Sequence, residues 1–305
     1  LEALLLEAKT LYKLHVQDRV TMFTPDFRLN DWRVSASQPN RTWDSVILDE
    51  NVKKSILTDA TNFFEGEEWY RERGIPWRRG IMFHGAPGSG KSSFVHALAS
   101  KLCVPICIVS LGDPDMNDST FKELMSRLPT PSLALIEDID ISFRNGLNRE
   151  DTGLRSTYSS SSLPSSKPQL TLAGILNALD GVNCHEGHML IATSNKPDSL
   201  DTALTRAGRI DAKFKFHAAS HYQASTLFNR FYKPDCDQLV HLEDAAHENI
   251  ELGDLATRFA DSIASHEMSM AELQGHLMCF RSSAHDAVLN ISSLLENKRT
   301  NTSGE

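Results

Sequence analysis

The stretch Gly85-Ala86-Pro87-Gly88-Ser89-Gly90-Lys91-Ser92 constrains this chain more than any other. It fits the spacing G-x-x-x-x-G-K-[ST], with the apolar run Ile81–His84 before it and a helical stripe of Phe94, Val95, Leu98, Ala99 and Leu102 after it. A strand that runs through a glycine-rich turn into a helix N-terminus converges several backbone N–H groups on one point, with the positive end of the helix behind them. Phosphate oxygens need that arrangement, and only glycine lets the backbone wrap so closely. The residues expected to hold a nucleotide are therefore Gly85, Ala86, Pro87, Gly88, Ser89, Gly90, Lys91, Ser92 and Ser93. Lys91 is expected to reach the β- and γ-phosphates, and the Ser92 hydroxyl to ligate Mg²⁺.

The surrounding pattern predicts an α/β fold. Short apolar runs at Ile81–His84, Ile106–Ser110, Leu133–Glu137, Met189–Ser194 and Phe214–Phe216 alternate with helical periods such as Leu172, Ile175, Leu176 and Leu179. That alternation is the signature of a parallel sheet with crossover helices, here of five strands. Residues 19–45 read as strand-rich, behind an amphipathic helix carrying Leu1, Leu4, Leu5, Ala8, Leu11 and Tyr12. Asp49 is placed to cap a helix whose apolar face is Val52, Ile56, Ala60, Phe63 and Phe64. After Lys215 helical periods dominate, and Ser269-Met-Ala-Glu272 is a capping box. The expected domains are an N-terminal segment over 1–45, a nucleotide-binding domain over 46–217 and a helical domain over 218–296, with a frayed tail over 297–305. A serine-rich surface loop over 144–169 interrupts the second of these.

Three further features sit where such a sheet binds ligands, at or just beyond the C-terminal ends of its strands. Leu133–Ile136 runs into Glu137, Asp138 and Asp140, and carboxylates beside a buried strand are costly unless a cation or partner is at hand. Glu137 is expected to organise the metal and Asp138 to act as the general base. Asn195 follows the strand Met189–Ser194; its amide offers both a donor and an acceptor, which suits orienting a water. Arg206 and Arg209 flank Gly208, and arginine stabilises charge on a transferring phosphoryl group, in some cases from a neighbouring subunit.

Together these elements resemble the AAA ATPase family, with Walker A at Gly85–Ser92, Walker B at Ile136–Asp138, sensor-1 at Asn195 and arginine-finger candidates at Arg206 and Arg209. The resemblance covers about 42–296. A narrower likeness lies in Trp69-Tyr70, in Arg73-Gly74-Ile75-Pro76-Trp77-Arg78-Arg79-Gly80, in the order Glu137-Asp138 and in Gly174-Ile-Leu-Asn177-Ala-Leu-Asp180-Gly181. These look like the mitochondrial inner-membrane AAA chaperones that translocate the Rieske iron–sulfur protein during assembly of respiratory complex III. The resemblance implies ATP and Mg²⁺ as cofactors and a homo-oligomeric ring, heptameric in that family. It also implies an N-terminal membrane anchor, an ATPase domain in the matrix and a folded protein client. The segment Ser110-Leu111-Gly112-Asp113-Pro114-Asp115-Met116-Asn117 lacks the aromatic pore residue of AAA unfoldases, which agrees with a folded client.

Composition narrows the alternatives. Thirty-one Lys+Arg against forty Asp+Glu leave a net charge of −9, and a diffuse acidic balance argues against nucleic acid as a partner. The five cysteines (Cys103, Cys107, Cys184, Cys236 and Cys279) have no C-x-x-C spacing and read as reduced thiols. No apolar run approaches the ~20 residues that span a bilayer. Because the chain opens at Leu1 rather than Met, the anchor implied by the resemblance is expected upstream. Arg71, Arg73, Arg78 and Arg79 read as a solvated or subunit-facing patch.

Overall fold

The computed structural model describes residues 19–142, 170–180, 185–206, 208–233 and 242–302. The expected N-terminal helix and the serine-rich loop lie outside the described residues, as do Cys184 and Cys236. The contacts divide the chain into two units, one of residues 1–46, 51–84 and 91–215, the other of 47–50, 85–90 and 216–305.

The first unit is built on the sheet. In chain order it holds β1 (Arg19–Asp26), β2 (Asp31–Pro39), α1 (Glu50–Glu65), α2 (Glu67–Glu72), β3 (Arg79–Gly85), α3 (Lys91–Leu102), β4 (Ile106–Val109) and α4 (Asp118–Ser126). These are followed by β5 (Ser132–Ile136), α5 (Ile139–Ser142), α6 (Leu172–Asp180), β6 (His188–Ser194) and β7 (Ala212–Phe216). All five predicted strands form, and the sheet has seven because the hairpin β1–β2 joins it, in the order β2-β1-β4-β5-β6-β3-β7. β1 pairs antiparallel with β2 and parallel with β4, with Met22 opposite Ile106. The central pairs β4–β5, β5–β6 and β6–β3 are parallel. Parallel strands are covered on both faces, and every residue of β5 and β6 is buried.

One face packs Phe121, Leu124 and Met125 of α4 and Ile175 and Leu179 of α6 against Cys107, Ala134, Ile136 and Leu190. On α3, Phe94 meets Phe83 of β3 and Trp43, with ring centroids 5.6 and 5.3 Å apart. The hairpin is tied to α4 by polar bonds as well: Trp32 Nε1 donates to the Leu124 carbonyl at 2.9 Å, and Arg127 donates to the Asn30 carbonyl at 3.2 Å. The helix α4 follows from Asn117, whose Oδ1 accepts the N–H groups of Ser119 and Thr120 at 3.0 Å each, an N-cap that satisfies two orphan donors. Cys103, Cys107 and Cys279 are free thiols, and burial pushes the Cys107 thiol up to about 12.

The four arginines near 71–79, expected as one patch, are separated in the structure. Arg71 and Arg73 are exposed and pair locally with Glu68 and Glu72. Arg78 donates to the Leu179 carbonyl at 2.9 Å, and Arg79 bridges Asp59 at 3.1 Å and Asp211 at 3.7 Å. The last two are half-buried ties between elements, because a guanidinium can satisfy several distant acceptors at once.

His188 opens β6 opposite Ser132 of β5, and among the described residues its buried Nδ1 has no hydrogen-bond partner. Burial, with smaller contributions from His185 and Arg78, lowers its pKa to about 4. The unfolded chain takes this proton near pH 6.5, whereas the folded chain refuses it until about pH 4. Stability is therefore expected to fall by on the order of 1.4 kcal/mol per pH unit as pH drops through that window, and to change no further below it through this group. Urea midpoints of wild type and His188→Asn between pH 7 and pH 5 test this. Parallel loss of stability in the two proteins would dismiss His188 as the source.

After Phe216, the regular elements of the second unit are helices among the described residues. It holds α7 (His221–Tyr232), α8 (Leu242–Asp261), α9 (Met270–Cys279), α10 (Ala284–Leu289) and α11 (Ile291–Thr302). Its core is Phe228, Phe259, Ile263, Leu273, Leu277, Val288 and Ile291 with their neighbours. The predicted box at Ser269–Glu272 is present, and Ser220 with Gln223 forms a second one at the start of α7. The expected frayed tail is helical through Thr302, and Lys298 within it is anchored at 2.8 Å to Glu272.

Candidate nucleotide site

Within the first unit, residues from α3, β6 and the end of β5 meet in one polar cluster. Lys91 begins α3 and is buried; its Nζ donates to Asn195 Oδ1 at 2.7 Å. Asn195 Nδ2 in turn donates to Asp138 Oδ1 at 3.0 Å. A lysine has only donors and a carboxylate only acceptors, so the amide is fixed with its oxygen toward Lys91 and its nitrogen toward Asp138. Burial pulls the Lys91 pKa below the ordinary lysine range, and the Asp138 and Asp140 carboxylates push against that shift. The sequence-predicted trio of Lys91, Asp138 and Asn195 is thus brought together.

Two residues the sequence reading leaves without a role complete this cluster. Asp140 is buried, and its Oδ1 accepts the Asn195 backbone N–H at 3.0 Å. Thr193 Oγ1 accepts the Asp138 N–H at 2.9 Å. Asp138 itself stands at φ 45°, a left-handed conformation that aspartate tolerates at a modest cost. The cost of that backbone is offset by its bonds to Thr193 and Asn195, which hold the carboxylate at the strand end. The signal for Asp140 is its i+2 spacing from Asp138 after a buried strand, which is legible as an extra acid but not as a clamp on Asn195.

Ser92 and Ser93 are half-buried in the first turn of α3 and line a cavity of about 470 Å³ with Val20, Arg41, His96 and Ser100. Glu137 is exposed at the end of β5. Burial lowers the His96 pKa, and the Glu137 carboxylate opposes that shift. Among the described residues there is no group of three or more His, Cys, Asp or Glu that could hold a metal.

The glycine-rich loop 85–90 belongs to the second unit. Gly85, Gly88 and Gly90 all stand at positive φ, at 139°, 73° and 94°. A side chain at Gly90 would enter open space, so its backbone conformation, rather than crowding, calls for glycine there. Ser89 Oγ closes the turn by donating to the Ala86 carbonyl at 2.7 Å.

The two candidate arginines differ. Arg209 is spent internally: its Nε meets Asp180 Oδ2 at 2.7 Å and its Nη1 donates to the Ala203 carbonyl at 2.8 Å. Arg206 is exposed at the end of the 3-10 turn Thr202–Thr205. Gly174 is explained by Asp118, because a Cβ at residue 174 would lie 2.0 Å from its Oδ1. That carboxylate also accepts the Thr171 N–H at 2.6 Å.

A mostly parallel sheet whose strands end in a glycine-rich loop, paired acids and a polar amide, in a chain that continues into a helical unit, defines the class of P-loop nucleotide-binding ATPase domains. Residues 81–218 match the model of the "ATPase family associated with various cellular activities (AAA)", and residues 221–293 match "Mitochondrial chaperone BCS1-like, ATPase lid domain". The chain belongs to the AAA ATPase family, with a lid of the BCS1-like kind. It is 38% identical over 254 residues to "Probable mitochondrial chaperone BCS1-A" of Dictyostelium discoideum, covering 83% of this chain and 55% of that one. It is 34% identical to "Mitochondrial chaperone BCS1" of Danio rerio over 301 residues, 95% of this chain and 64% of that one. The protein of the same name in Homo sapiens is 34% identical over 291 residues, 94% and 63% respectively. The chain thus spans between half and two thirds of the length of these relatives. Among the described residues, no helix is long and apolar enough to cross a membrane.

Proposed function

We propose that this chain is the ATP-hydrolysing motor of a homo-oligomeric ring chaperone. The observation that carries the reading is the Lys91–Asn195–Asp138 chain, which sets a cation, a water-orienting amide and a carboxylate in sequence at the strand ends. Lys91 and the N–H groups of residues 85–90 hold the phosphates. Ser92 and Glu137 offer the oxygens for Mg²⁺, which when bound neutralises phosphate charge. Asp138 accepts the proton of the attacking water and Asn195 orients that water. Arg206 is the arginine that acts across a subunit boundary, while Arg209 positions the segment that carries it.

The client and the place follow from resemblance. The named relatives are mitochondrial chaperones, and the resemblance carried by the motifs at 73–80 and 174–181 supports a folded client, the Rieske iron–sulfur protein, at the inner membrane with the ATPase in the matrix. Leu111 and Met116 of the segment after β4 are buried in the core, so these apolar residues are used for packing rather than offered to a threaded chain.

A second reading, a nucleotide-gated scaffold with little turnover, draws on the order Glu137-Asp138, which makes the base one methylene shorter than the usual glutamate. Phosphate release measured beside ATP affinity separates the two. Sustained Mg²⁺-dependent release by wild type, lost together with binding in Lys91→Ala, is the expected result. Tight binding without release would favour the scaffold.

A further inference from the structure

The nucleotide loop is gripped by the first turn of α9. The Ala271 N–H donates to the Gly88 carbonyl at 3.1 Å. A Cβ at residue 88 would lie 3.0 Å from both Ala271 Cβ and Ser269 Oγ, and Gly88 stands at φ 73°. Gly88 is therefore held by a hydrogen bond, on a side where Ala271 and Ser269 leave no room for a side chain, and the position of that helix turn fixes where its carbonyl points.

The turn is itself fixed from the C-terminal helix. Ser269 N–H donates to Glu272 Oε2 at 2.7 Å, and Glu272 N–H returns a 3.3 Å bond to Ser269 Oγ. Such a box ties the first turn of a helix to its cap. Lys298 of α11 donates to the same Glu272 Oε2 at 2.8 Å and to the Glu267 carbonyl at 2.9 Å. One ammonium thus joins the cap's carboxylate to the backbone just before the cap. Burial works to raise the Glu272 pKa, but the bonds from Lys298 and Ser269 outweigh it and leave it below the ordinary glutamate range.

We infer that Lys298 is a positioning residue for the nucleotide loop, acting through Glu272 and the α9 cap on the Gly88 carbonyl, so that α11 and the loop are energetically coupled. The inference rests on the ATP-binding reading. A loop held in its binding geometry loses less freedom when it binds, so releasing the clamp weakens nucleotide affinity without touching the groups that act on water. Linkage requires the converse, that nucleotide binding strengthens the Lys298–Glu272 contact by the same factor.

The test uses a fluorescent ADP with wild type, Lys298→Ala and Lys298→Arg. Lys298→Ala is expected to raise the Kd about 2- to 5-fold, the range a partly exposed ion pair can transmit. Turnover at saturating ATP stays within about twofold of wild type, and Lys298→Arg recovers most of the affinity. In hydrogen exchange, ADP is expected to slow the amides of residues 291–302 in wild type and to lose that effect in Lys298→Ala. A purely structural role would loosen this helix in the free protein but leave its response to ADP intact. An unchanged Kd in Lys298→Ala, or a response to ADP that survives the substitution, overturns the relay alone. Wild type that fails to bind the probe overturns the ATP-binding reading and the relay with it.

Discussion

Asp138→Asn is expected to lower steady-state ATP hydrolysis by about 100- to 10,000-fold at saturating nucleotide, the usual contribution of a positioned general base. ATP affinity is expected to stay within a few fold of wild type. The substitution keeps the shape of the side chain and removes its charge. The new amide can present its oxygen to Asn195 Nδ2 and so preserve the 3.0 Å contact made by Asp138 Oδ1. The backbone bond to Thr193 Oγ1 does not depend on the side chain, and asparagine tolerates a φ of 45° as well as aspartate does. What disappears is the capacity to take a proton from water. Loss of kcat with retained binding reports that chemistry, whereas parallel loss of binding and thermal stability would report a disrupted Lys91–Asn195 cluster. Turnover like wild type would remove Asp138 from the mechanism.

The parts of this molecule that were legible in the sequence are those whose causes are local. A glycine-rich turn between an apolar run and a helical stripe announces a strand, a loop and a helix N-terminus, and β3, the loop 85–90 and α3 follow in that order. The boxes and stripes of the helical unit are likewise written within three or four residues of each other, as at Ser269 and Glu272. The less legible features depend on partners distant in sequence. β1 and β2 were readable as strands, but nothing in residues 19–39 says that Met22 will lie opposite Ile106. Asp59, Arg79 and Asp211 form one ion-pair group across 152 residue positions, so Arg79 looked solvated when its neighbours were read alone. Asn117 and the spacing of Phe121, Leu124 and Met125 did carry the signal for α4, but that pattern stood beside a loop read for its missing aromatic. In the candidate site the sequence located the charged groups, whereas Asp140 as a clamp on the Asn195 backbone emerged only when two strand ends were set side by side.

Arg206→Ala is expected to reduce turnover of the assembled protein by about 10³- to 10⁵-fold, the range for an arginine that stabilises charge on a transferring phosphoryl group. Its folding stability is expected to change by under about 0.5 kcal/mol, as for an exposed surface position. Arg209→Ala reverses this pattern. Its side chain is only 16% exposed and holds both Asp180 and the Ala203 carbonyl, so its removal leaves a partly buried carboxylate and a carbonyl without their donor. The first consequence is a lower melting temperature, and loss of activity follows from displacement of the 202–206 segment. Mixing tests whether Arg206 works across a boundary. Subunits carrying Asp138→Asn keep Arg206, and subunits carrying Arg206→Ala keep Asp138. Where the intact arginine of one subunit meets the intact base of the next, a complete site forms only if the arginine is supplied in trans. Two preparations that are each nearly inactive should therefore regain measurable hydrolysis when assembled together. If they regain none while assembling normally, Arg206 acts on its own subunit's nucleotide or not at all, since an arginine confined to its own subunit gains nothing from a neighbour's base.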